Sequence, residues 1–600
     1  MTDSETISIT GQRLQALREK MAERGLSALV VPRADQYLGE YLPPHHERLR
    51  WLSGFTGSSG MLLVLPDRAA IFVDGRYTVQ VRQQVDSGWI EIHSLTEQPP
   101  MDWLSRQAEV SGRVGYDPRM HSFRWRQSSN AVLENAGMEL VELEENLVDL
   151  CWRDRPRPAP RQAFLLGAEY SGKDSTAKRA EIGKQIVERG ADAAYLFAAD
   201  SCNWLLNIRG ADVPNLPIIL GSAILHGNGE MLFFTDPDKI PDGFTPHVGE
   251  GVSVRPEIEL PQAFRQLRGK TVLSDPDTAN AWSQLALQQA GVEVLAGADP
   301  VILPKACKNR VEVQGMRNAH VRDGAAVVKF LAWLDAEVLA GRLPDEASAA
   351  GHLGELRAAQ VHFQEPSFDT ISAAAANAAM CHYNHLNGTP ARLEQNNVYL
   401  VDSGGQYFDG TTDITRTVAI GEAGEEVRER FTLVLKGMIA LARAHFPAGT
   451  TGTQLDVLAR QFLWGRGLDY NHGTGHGVGS FLSVHEGPQR IATTPTDVAL
   501  QPGMVVSDEP GYYKDDCYGI RCENLVLVTE VGSMQDNGKQ LLGFETLTMA
   551  PFDRRLLLRE LLTVDEQRWL DGYHSQVLER VGSLLEGADL SWLKQAIRPL

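Results

Sequence analysis

Cysteine is scarce in this 600-residue sequence, and no two cysteines form a Cys-x-x-Cys pair. That spacing is typical of structural zinc sites and thiol redox motifs, so the pattern argues against both. Scattered cysteines in a chain of this length also argue against a disulfide framework. We therefore predict reduced, packed thiols at the six positions, which are Cys151, Cys202, Cys307, Cys381, Cys517 and Cys522.

Long apolar runs and basic blocks are absent too. No stretch reaches the roughly 18 apolar residues of a transmembrane helix, and residues 1–20 contain no apolar core of signal-peptide length. The chain carries 57 Lys and Arg against 77 Asp and Glu, a formal net charge of −20. A surface of this sign does not neutralise phosphates or anionic lipid headgroups. We predict a cytoplasmic protein that binds neither nucleic acid nor membrane.

The length and the ordinary globular composition predict several domains. Residues 153–160 contain three prolines and three arginines, which cannot continue a helix or a central strand. A weaker break at 303–305 precedes a helical pattern that begins near Asn309. These two breaks predict three domains, with bounds of 1–155, 163–305 and 306–600.

The first two domains look like copies of one unit. A helix-then-strand phrase, ERGLSALVV at 23–31, recurs as ERGADAAYL at 188–196. Each copy continues into an apolar, strand-like stretch, at 61–65 in the first and 218–225 in the second. Amphipathic helices that alternate with short apolar strands are typical of α/β domains. The sequence therefore predicts two related N-terminal α/β domains.

The third region interleaves amphipathic helices with short apolar strands. Apolar residues at helical spacing predict helices at 425–446 and 453–464. Gly404-Gly405, between Asp402 and Asp413, favours an antiparallel strand pair over a βαβ unit. The sequence after Leu541 is helix-rich and carries no candidate chemistry. Strands are predicted at 398–402, 415–420, 504–507 and 525–528.

Four acids and one histidine at the ends of these strands form a candidate metal site: Asp402, Asp413, His476, Glu509 and Glu523. Singly, an Asp beside glycines is usually a turn residue, and a carboxylate at a strand end is usually solvated. If the strands share a sheet, each carboxylate pair about 4 Å apart repels by roughly 4 kcal/mol at an effective dielectric constant of about 20. Two divalent ions would neutralise the four charges. These oxygen-rich ligands suit Mn²⁺ first and leave Co²⁺, Mg²⁺ and Zn²⁺ open.

Competing catalytic motifs fail on their spacing. Neither His46-Glu47 nor His485-Glu486 is followed by the second histidine of an HExxH zinc motif. Residues 57–60 do not form the Gly-x-Ser-x-Gly turn of a serine hydrolase, and Val478 occupies the place of a third dinucleotide-loop glycine. Cys381 and His382 are adjacent, and adjacent side chains seldom face each other as a nucleophile and its base.

Five phrases of the sequence carry a resemblance: RLRWLSGFTG at 48–57, PSFDTIS at 366–372, HY at 382–383, DGTTDITRT at 409–417 and HGTGHGVG at 472–479. With the ordered ligand set, they resemble the pita-bread metallopeptidases, and above all the large three-domain aminopeptidase P. The resemblance covers nearly the whole chain. It implies two related α/β domains of the creatinase N-terminal type, followed by an α+β pita-bread catalytic domain with a helix-rich C-terminal extension.

The resemblance also implies a role for each metal ligand. Asp402 would bind one ion, and His476 and Glu509 would bind the other. Asp413 and Glu523 would bridge both ions. A hydroxide between the ions would attack the scissile carbonyl, and Glu509 would accept the proton of the attacking water.

Four further residues match substrate-site positions of that family. His382 and His485 would stabilise the tetrahedral intermediate, which makes them catalytic as well as substrate-binding, and His472 would line the pocket. Arg521 would position the substrate or a metal ligand. Residues 379–384 depart from the family pattern, in which small or aliphatic residues and a proline flank the His-Tyr pair. This departure affects the expected substrate preference and not the metal site.

The activity that the resemblance implies is removal of the N-terminal residue from small peptides whose second residue is proline, by a homodimer. A prolidase-type dipeptidase would share the five ligands, but the chain length and the duplicated N-terminal domains favour the aminopeptidase. A non-catalytic binding protein of the same fold would not need intact ligands. Assay of a tripeptide Xaa-Pro-Xaa beside a dipeptide Xaa-Pro separates the two peptidase hypotheses.

Overall fold

The computed structural model describes residues 8–107, 112–158 and 161–600, which form two compact units. The first unit ends at residue 301 and excludes two short segments, 166–172 and 215–217, which belong with residues 302–600 in the second unit. Residues 1–7, part of the stretch assessed for a signal peptide, and residues 159–160 of the predicted linker lie outside the described ranges. Residues 153–158 of that linker form neither helix nor strand.

The first α/β domain is built on a mixed sheet. Its elements are α1 (Ile9–Glu23), β1 (Ala28–Pro32), α2 (Arg48–Ser53), β2 (Met61–Val64), β3 (Ala69–Val73), α3 (Thr78–Gln84), β4 (Glu91–Ser94), α4 (Pro100–Ser105), β5 (Gly112–Tyr116), α5 (Phe123–Asn135), β6 (Met138–Glu142) and α6 (Leu147–Cys151). The strand order is β4-β3-β2-β1-β5-β6, with β1 antiparallel to β2 and parallel to β5. Leu14, Leu17 and Met21 bury one face of α1 against this sheet, as their helical spacing requires.

The second α/β domain repeats this sheet. Along residues 161–301 the elements are β7 (Phe164–Leu165), α7 (Ala168–Ser171), α8 (Ser175–Glu188), β8 (Ala193–Leu196), α9 (Ala199–Leu206), β9 (Ile208–Arg209), β10 (Ser222–His226), β11 (Met231–Phe234), α10 (Phe244–Val248), β12 (Val252–Arg255), α11 (Leu260–Gln266), β13 (Thr271–Ser274), α12 (Ala281–Gln289) and β14 (Glu293–Ala296). The order β12-β11-β10-β8-β13-β14 matches the first sheet strand for strand and direction for direction. The predicted duplication is confirmed. The strand predicted at 218–225 is shorter, because β10 begins only at Ser222.

The two copies pair through equivalent segments. Ser122, the N-cap of α5, forms an antiparallel bridge with Asn280, the N-cap of α12. Backbone hydrogen bonds around the bridge exchange partners between the copies: Phe123 N donates to Ala279 O, and Ala281 N donates to His121 O. Such reciprocal contacts are the signature of a two-fold interface between like surfaces. The duplicated domains therefore meet as a pseudo-symmetric pair.

The third region combines long helices with antiparallel sheets. Its elements are α13 (Ile302–Ala306), α14 (Arg310–Leu339), α15 (Glu346–Ala358), β15 (Phe363–Pro366), β16 (Ile371–Ala374), β17 (Asn397–Ser403), β18 (Gly405–Tyr407), β19 (Gly410–Thr411), β20 (Ile414–Ile420), α16 (Glu425–Ala442), β21 (Phe446–Pro447), α17 (Gly452–Trp464), β22 (Gly475–Gly477), β23 (Glu486–Ile491), β24 (Val505–Asp508), β25 (Gly511–Lys514), β26 (Tyr518–Arg521), β27 (Asn524–Ser533), β28 (Gln540–Thr546), α18 (Val564–Val581) and α19 (Gly587–Ala596). Its sheets include one of six strands, in the order β21-β28-β27-β24-β22-β23, and two of three strands, in the orders β16-β17-β20 and β15-β18-β19.

Helices cover both faces of the sheet β16-β17-β20. Tyr399 and Val401 pack with Phe330 of α14, whereas Val398 lies on the opposite face and packs with Phe431 of α16. This alternation has the two-residue period of a strand buried on both faces. The helix α14 begins at the N-cap Asn309, with a complete capping box, close to its predicted start.

The structure corrects one prediction for this region and adds a strand to another. β17 and β20 are antiparallel as predicted, but Gly404-Gly405 does not join them directly, because the β18–β19 hairpin lies between. The chain after Leu541 contains the helices α18 and α19, but β28 continues to Thr546 before them. Within the described ranges, no helix is long and apolar enough to cross a membrane.

Candidate metal centre

One half of the candidate centre comes from the β17–β20 pair. Asp402 is the penultimate residue of β17 and lies opposite Thr415 in the antiparallel register. Asp413 immediately precedes β20, so both carboxylates lie at the same end of the pair. The predicted strand pair thus brings two of the candidate ligands together.

The other half comes from the β24–β27 pair. Asp508 lies opposite Asn524 in the register, which places the adjoining residues Glu509 and Glu523 side by side. His476 lies in β22, the strand on the other side of β24. Three strands of one sheet therefore supply the remaining three candidate ligands.

The five side chains converge. Among the described residues, Asp413, His476 and Glu523 each offer a ligand atom, and these atoms lie within 4.8 Å of one another. His476 Nε2 is 3.5 Å from Asp413 Oδ2 and 3.5 Å from Glu509 Oε1. Asp402 is close enough for its charge, like those of Asp413 and Glu509, to raise the pKa of Glu523.

The charges of the cluster are poorly compensated by the protein alone. Burial, together with the charge of Asp413 and against the opposing Arg521, raises the pKa of Asp402 to about 6. Burial and the neighbouring carboxylates raise the pKa of Glu523 as well. Burial disfavours the charged form of His476, but its hydrogen bond to Asp413 and the charge of Glu509 raise its pKa to about 9. Burial and mutual repulsion therefore outweigh the positive charge that Arg521 and His476 supply to the four carboxylates.

The donor set fits divalent ions. Asp402 Oδ1 and Asp413 Oδ1 are buried and have no hydrogen-bond partner in the described part of the chain. A buried acceptor left without a partner destabilises the fold by about 1–3 kcal/mol, and by more when it is charged. Carboxylate oxygens and one imidazole are the ligands of hard or borderline divalent cations. Cations between these strand ends would satisfy the unpaired oxygens and the charge together.

Of the three predicted substrate histidines, His485 and His472 have contacts that connect them to this cluster. The His485 ring is 4.3 Å from the His476 ring, edge to face. His472 is buried, which lowers its pKa to about 4, and its Nε2 lies 2.9 Å from Tyr513 Oη. His382 is half-buried in the loop between β16 and β17.

Arg521 contacts a candidate ligand directly. Its guanidinium is buried and forms an ion pair with Asp402, with Nη2 2.5 Å from Oδ2. Nη1 donates to Tyr513 Oη at 2.7 Å, so one chain of contacts links His472, Tyr513, Arg521 and Asp402. The arrangement fixes the orientation of Asp402 and leaves its Oδ1 for a cation.

Known proteins match the chain over its whole length. Residues 314–530 match metallopeptidase family M24, residues 540–600 match the C-terminal region of peptidase M24, and residues 13–151 and 154–312 each match the creatinase/prolidase N-terminal domain. A probable Xaa-Pro aminopeptidase P of Botryotinia fuckeliana is 40% identical, across 100% of this chain and 94% of the relative. Another, of Tuber melanosporum, is 39% identical, across 99% and 100%. The chain belongs to the Xaa-Pro aminopeptidase P family.

A solved member of the aminopeptidase P family has the same fold. X-prolyl aminopeptidase of Caenorhabditis elegans, described as a cytosolic enzyme with a di-nuclear active site, matches with a TM-score of 0.94 at 35% identity. The match covers 98% of this chain and 100% of that one. The predicted fold class, two creatinase-type N-terminal domains followed by an M24 catalytic domain, is confirmed.

Two hydroxyl groups that were not predicted from the sequence donate hydrogen bonds to candidate metal ligands of this aminopeptidase P family member. Thr415 Oγ1 donates to Glu523 Oε2 at 2.6 Å, and Ser507 Oγ donates to Glu509 Oε1 at 3.0 Å. A signal exists in the sequence, because Thr415 is two residues after Asp413 and Ser507 is two residues before Glu509. Alternate residues of a strand share a face, so a polar side chain at this spacing points to the same site. Tyr513 has no comparable local signal.

Proposed function

We propose that the chain is a metal-dependent aminopeptidase that removes the N-terminal residue from peptides with proline in second position. The observation that carries the proposal is the convergence of four carboxylates and one imidazole, with two buried carboxylate oxygens left unpaired in the described part of the chain. The ligand set is intact at every position, which argues against a non-catalytic member of the fold. Full-length similarity to aminopeptidase P relatives argues against a prolidase.

Asp402, Asp413, His476, Glu509 and Glu523 are the residues that would hold two divalent ions, with Asp413 and Glu523 shared between them. The ions would polarise the scissile carbonyl and acidify the attacking water. Glu509 is the proposed proton acceptor, and the hydroxyl of Ser507 orients its carboxylate. His382 and His485 would donate hydrogen bonds to the developing oxyanion, and His472 would line the substrate pocket.

The bond to proline explains a dedicated site. An Xaa-Pro amide has no N–H, and the proline ring fixes φ, so a peptidase that recognises an extended backbone through N–H groups binds it poorly. A site that acts on the carbonyl oxygen through cations and histidines does not need that N–H.

Oxygen-rich ligands make Mn²⁺ the proposed metal, ahead of Co²⁺ and Zn²⁺. We also propose a homodimer in the cytoplasm, in keeping with the cytosolic description of the worm enzyme. Light scattering of the purified protein measures the oligomeric state. Elemental analysis of protein purified without added metal identifies the ion.

Peptide hydrolysis tests the proposed function. Mn²⁺-loaded protein should release the first residue from Xaa-Pro-Xaa, with far slower release from Xaa-Ala-Xaa and from the dipeptide Xaa-Pro. Cleavage confined to the dipeptide would identify a prolidase instead. Absence of turnover with Mn²⁺, Co²⁺ and Zn²⁺ would refute both peptidase hypotheses.

Metal loading should release protons, so metal affinity should fall as the pH is lowered. In the metal-free chain the pKa of His476 is about 9 and that of Asp402 about 6, both raised, and each group must lose its proton to bind a cation. Below pH 9 the overall binding constant should fall by at least about tenfold per pH unit, because His476 must lose its proton, and the raised pKa values of Glu523 and Asp402 make the fall steeper. Isothermal titration calorimetry in buffers of different ionisation enthalpy counts the protons. Equal affinity at pH 6 and pH 8 would contradict the prediction.

A further inference from the structure

The loop that carries His382 is organised around a single buried carboxylate. Glu346, the first residue of α15, is fully buried, and both of its oxygens accept hydrogen bonds from the segment 374–391, which runs from the last residue of β16 into the loop before β17. Four donors lie 2.8 Å from it: Ala374 N and Asn377 Nδ2 at Oε1, and Tyr383 Oη and Ala391 N at Oε2. They come from the start, the middle and the end of the segment. One side chain therefore sets the path of the whole loop.

The charge of Glu346 is balanced by these donors. In the described residues no Lys, Arg or His forms an ion pair with it, so the four hydrogen bonds and the N-terminal end of α15 stabilise the carboxylate. Its backbone is fixed too, because Ser372 Oγ donates to Glu346 O at 2.7 Å and lies 2.6 Å from Tyr399 Oη. The Glu346 carboxylate is thus held in one position, and its hydrogen bonds determine the conformation of the loop.

Tyr383 connects this acceptor to the proposed chemistry. It directly follows His382, and its hydroxyl also accepts a hydrogen bond from Asn377 Nδ2 at 3.0 Å. The Tyr383 hydroxyl thus donates one hydrogen bond, to Glu346, and accepts another, from Asn377. These two bonds restrict the Tyr383 side chain and hence the backbone of the preceding histidine. Misplacement of a catalytic group by about 1 Å lowers a rate by about 100-fold.

We propose that Glu346 is a positioning residue that holds His382 in its reactive orientation through Tyr383. The inference rests on the proposed function, in which His382 stabilises the tetrahedral intermediate. Glu346 itself touches neither substrate nor metal ligands in this assignment. The same loop also touches Arg521 through Cys381 O, at 3.4 Å from Nη1, so the test must separate an effect through His382 from one through Arg521 and Asp402.

Glu346→Gln is the direct test. The glutamine amide turns one acceptor into a donor that faces two other donors, so the loop shifts. We expect kcat on Xaa-Pro-Xaa to fall by about 100-fold, with metal content unchanged. Glu355→Gln, on the same helix but with an exposed side chain, is the matched control and should keep wild-type kcat.

A double-mutant cycle separates positioning from general structural damage. In a His382→Ala background, Glu346→Gln should have almost no further effect, because the group that it positions is gone. Additive losses, or wild-type kcat in Glu346→Gln, would overturn the inference. So would wild-type activity of His382→Ala, which leaves nothing to position. An inactive wild type would instead refute the proposed function.

Tyr383→Phe covers the case in which Glu346→Gln does not fold. This change removes one hydrogen bond and preserves the ring packing, so the protein should fold with normal metal content. We expect a smaller loss of kcat, about 10-fold, that again disappears in the His382→Ala background. Unchanged kcat in Tyr383→Phe would contradict the proposed route.

Discussion

Asp413→Ala should lower kcat/KM for an Xaa-Pro-Xaa peptide by about 1000-fold or more. The Asp413 carboxylate lies within 4.8 Å of ligand atoms of both His476 and Glu523, at the centre of the cluster. Its removal takes away one of the four charges that would hold two ions. Loss of a Lewis acid removes several kcal/mol of transition-state stabilisation, and about 4 kcal/mol corresponds to about 1000-fold in rate. Steady-state kinetics together with elemental analysis of bound metal measure the effect.

Two companion variants control this experiment. Asp536→Ala removes a carboxylate of the same type from an exposed turn and should leave kcat/KM and metal content unchanged. Asp413→Asn keeps the shape of the side chain without its charge. In metal-free protein it should raise the thermal midpoint, because it relieves repulsion among buried carboxylates. Asp413→Ala protein with full metal content and a tenth or more of wild-type activity would refute the assignment.

The convergence of the four acidic ligands could be predicted because each lies at or beside the end of a short apolar strand. A charged residue such as Asp402, directly after a run of apolar residues, does not contribute to apolar packing. The local sequence alone therefore marks it as a candidate functional residue. The fold class could be predicted because the helix-then-strand phrase at 23–31 repeats at 188–196. β28 was missed because Leu541, Leu542 and Phe544 form a short apolar run, for which the helix and strand periods are hard to tell apart.

Partners that are distant in the chain could not be predicted. Arg521 lies 119 residues after Asp402 in the sequence, and no local pattern predicts that these two side chains form an ion pair. Arg416 is a second case, since it donates to Glu523 O at 2.5 Å and to Tyr573 Oη of α18 at 3.0 Å. Helix α18 thereby supports the backbone of a candidate ligand. The sequence after Leu541 supplies no candidate ligand, yet one buried arginine connects it to the site.

A buried charge triad braces the proposed catalytic histidine His485 in a similar way. Glu486, the next residue, has a fully buried side chain between two lysines. Its Oε2 is 3.0 Å from Lys305 Nζ, and its Oε1 is 2.5 Å from Lys308 Nζ. Both lysine side chains are at most 2% exposed. The triad connects residues 305–308, at the start of the third region, to β23, the strand that follows His485.

Glu486→Leu should destabilise the second unit by about 3–5 kcal/mol, because it leaves two ammonium groups buried without their shared anion. A Lys305→Met, Lys308→Met, Glu486→Leu triple variant should recover most of this loss, since apolar groups of similar size then fill the same volume without charge. Differential scanning calorimetry should show the single variant melting roughly 5–15 °C below wild type. A triple variant no more stable than the single one would mean that packing at Glu486, and not its charge, determines stability here.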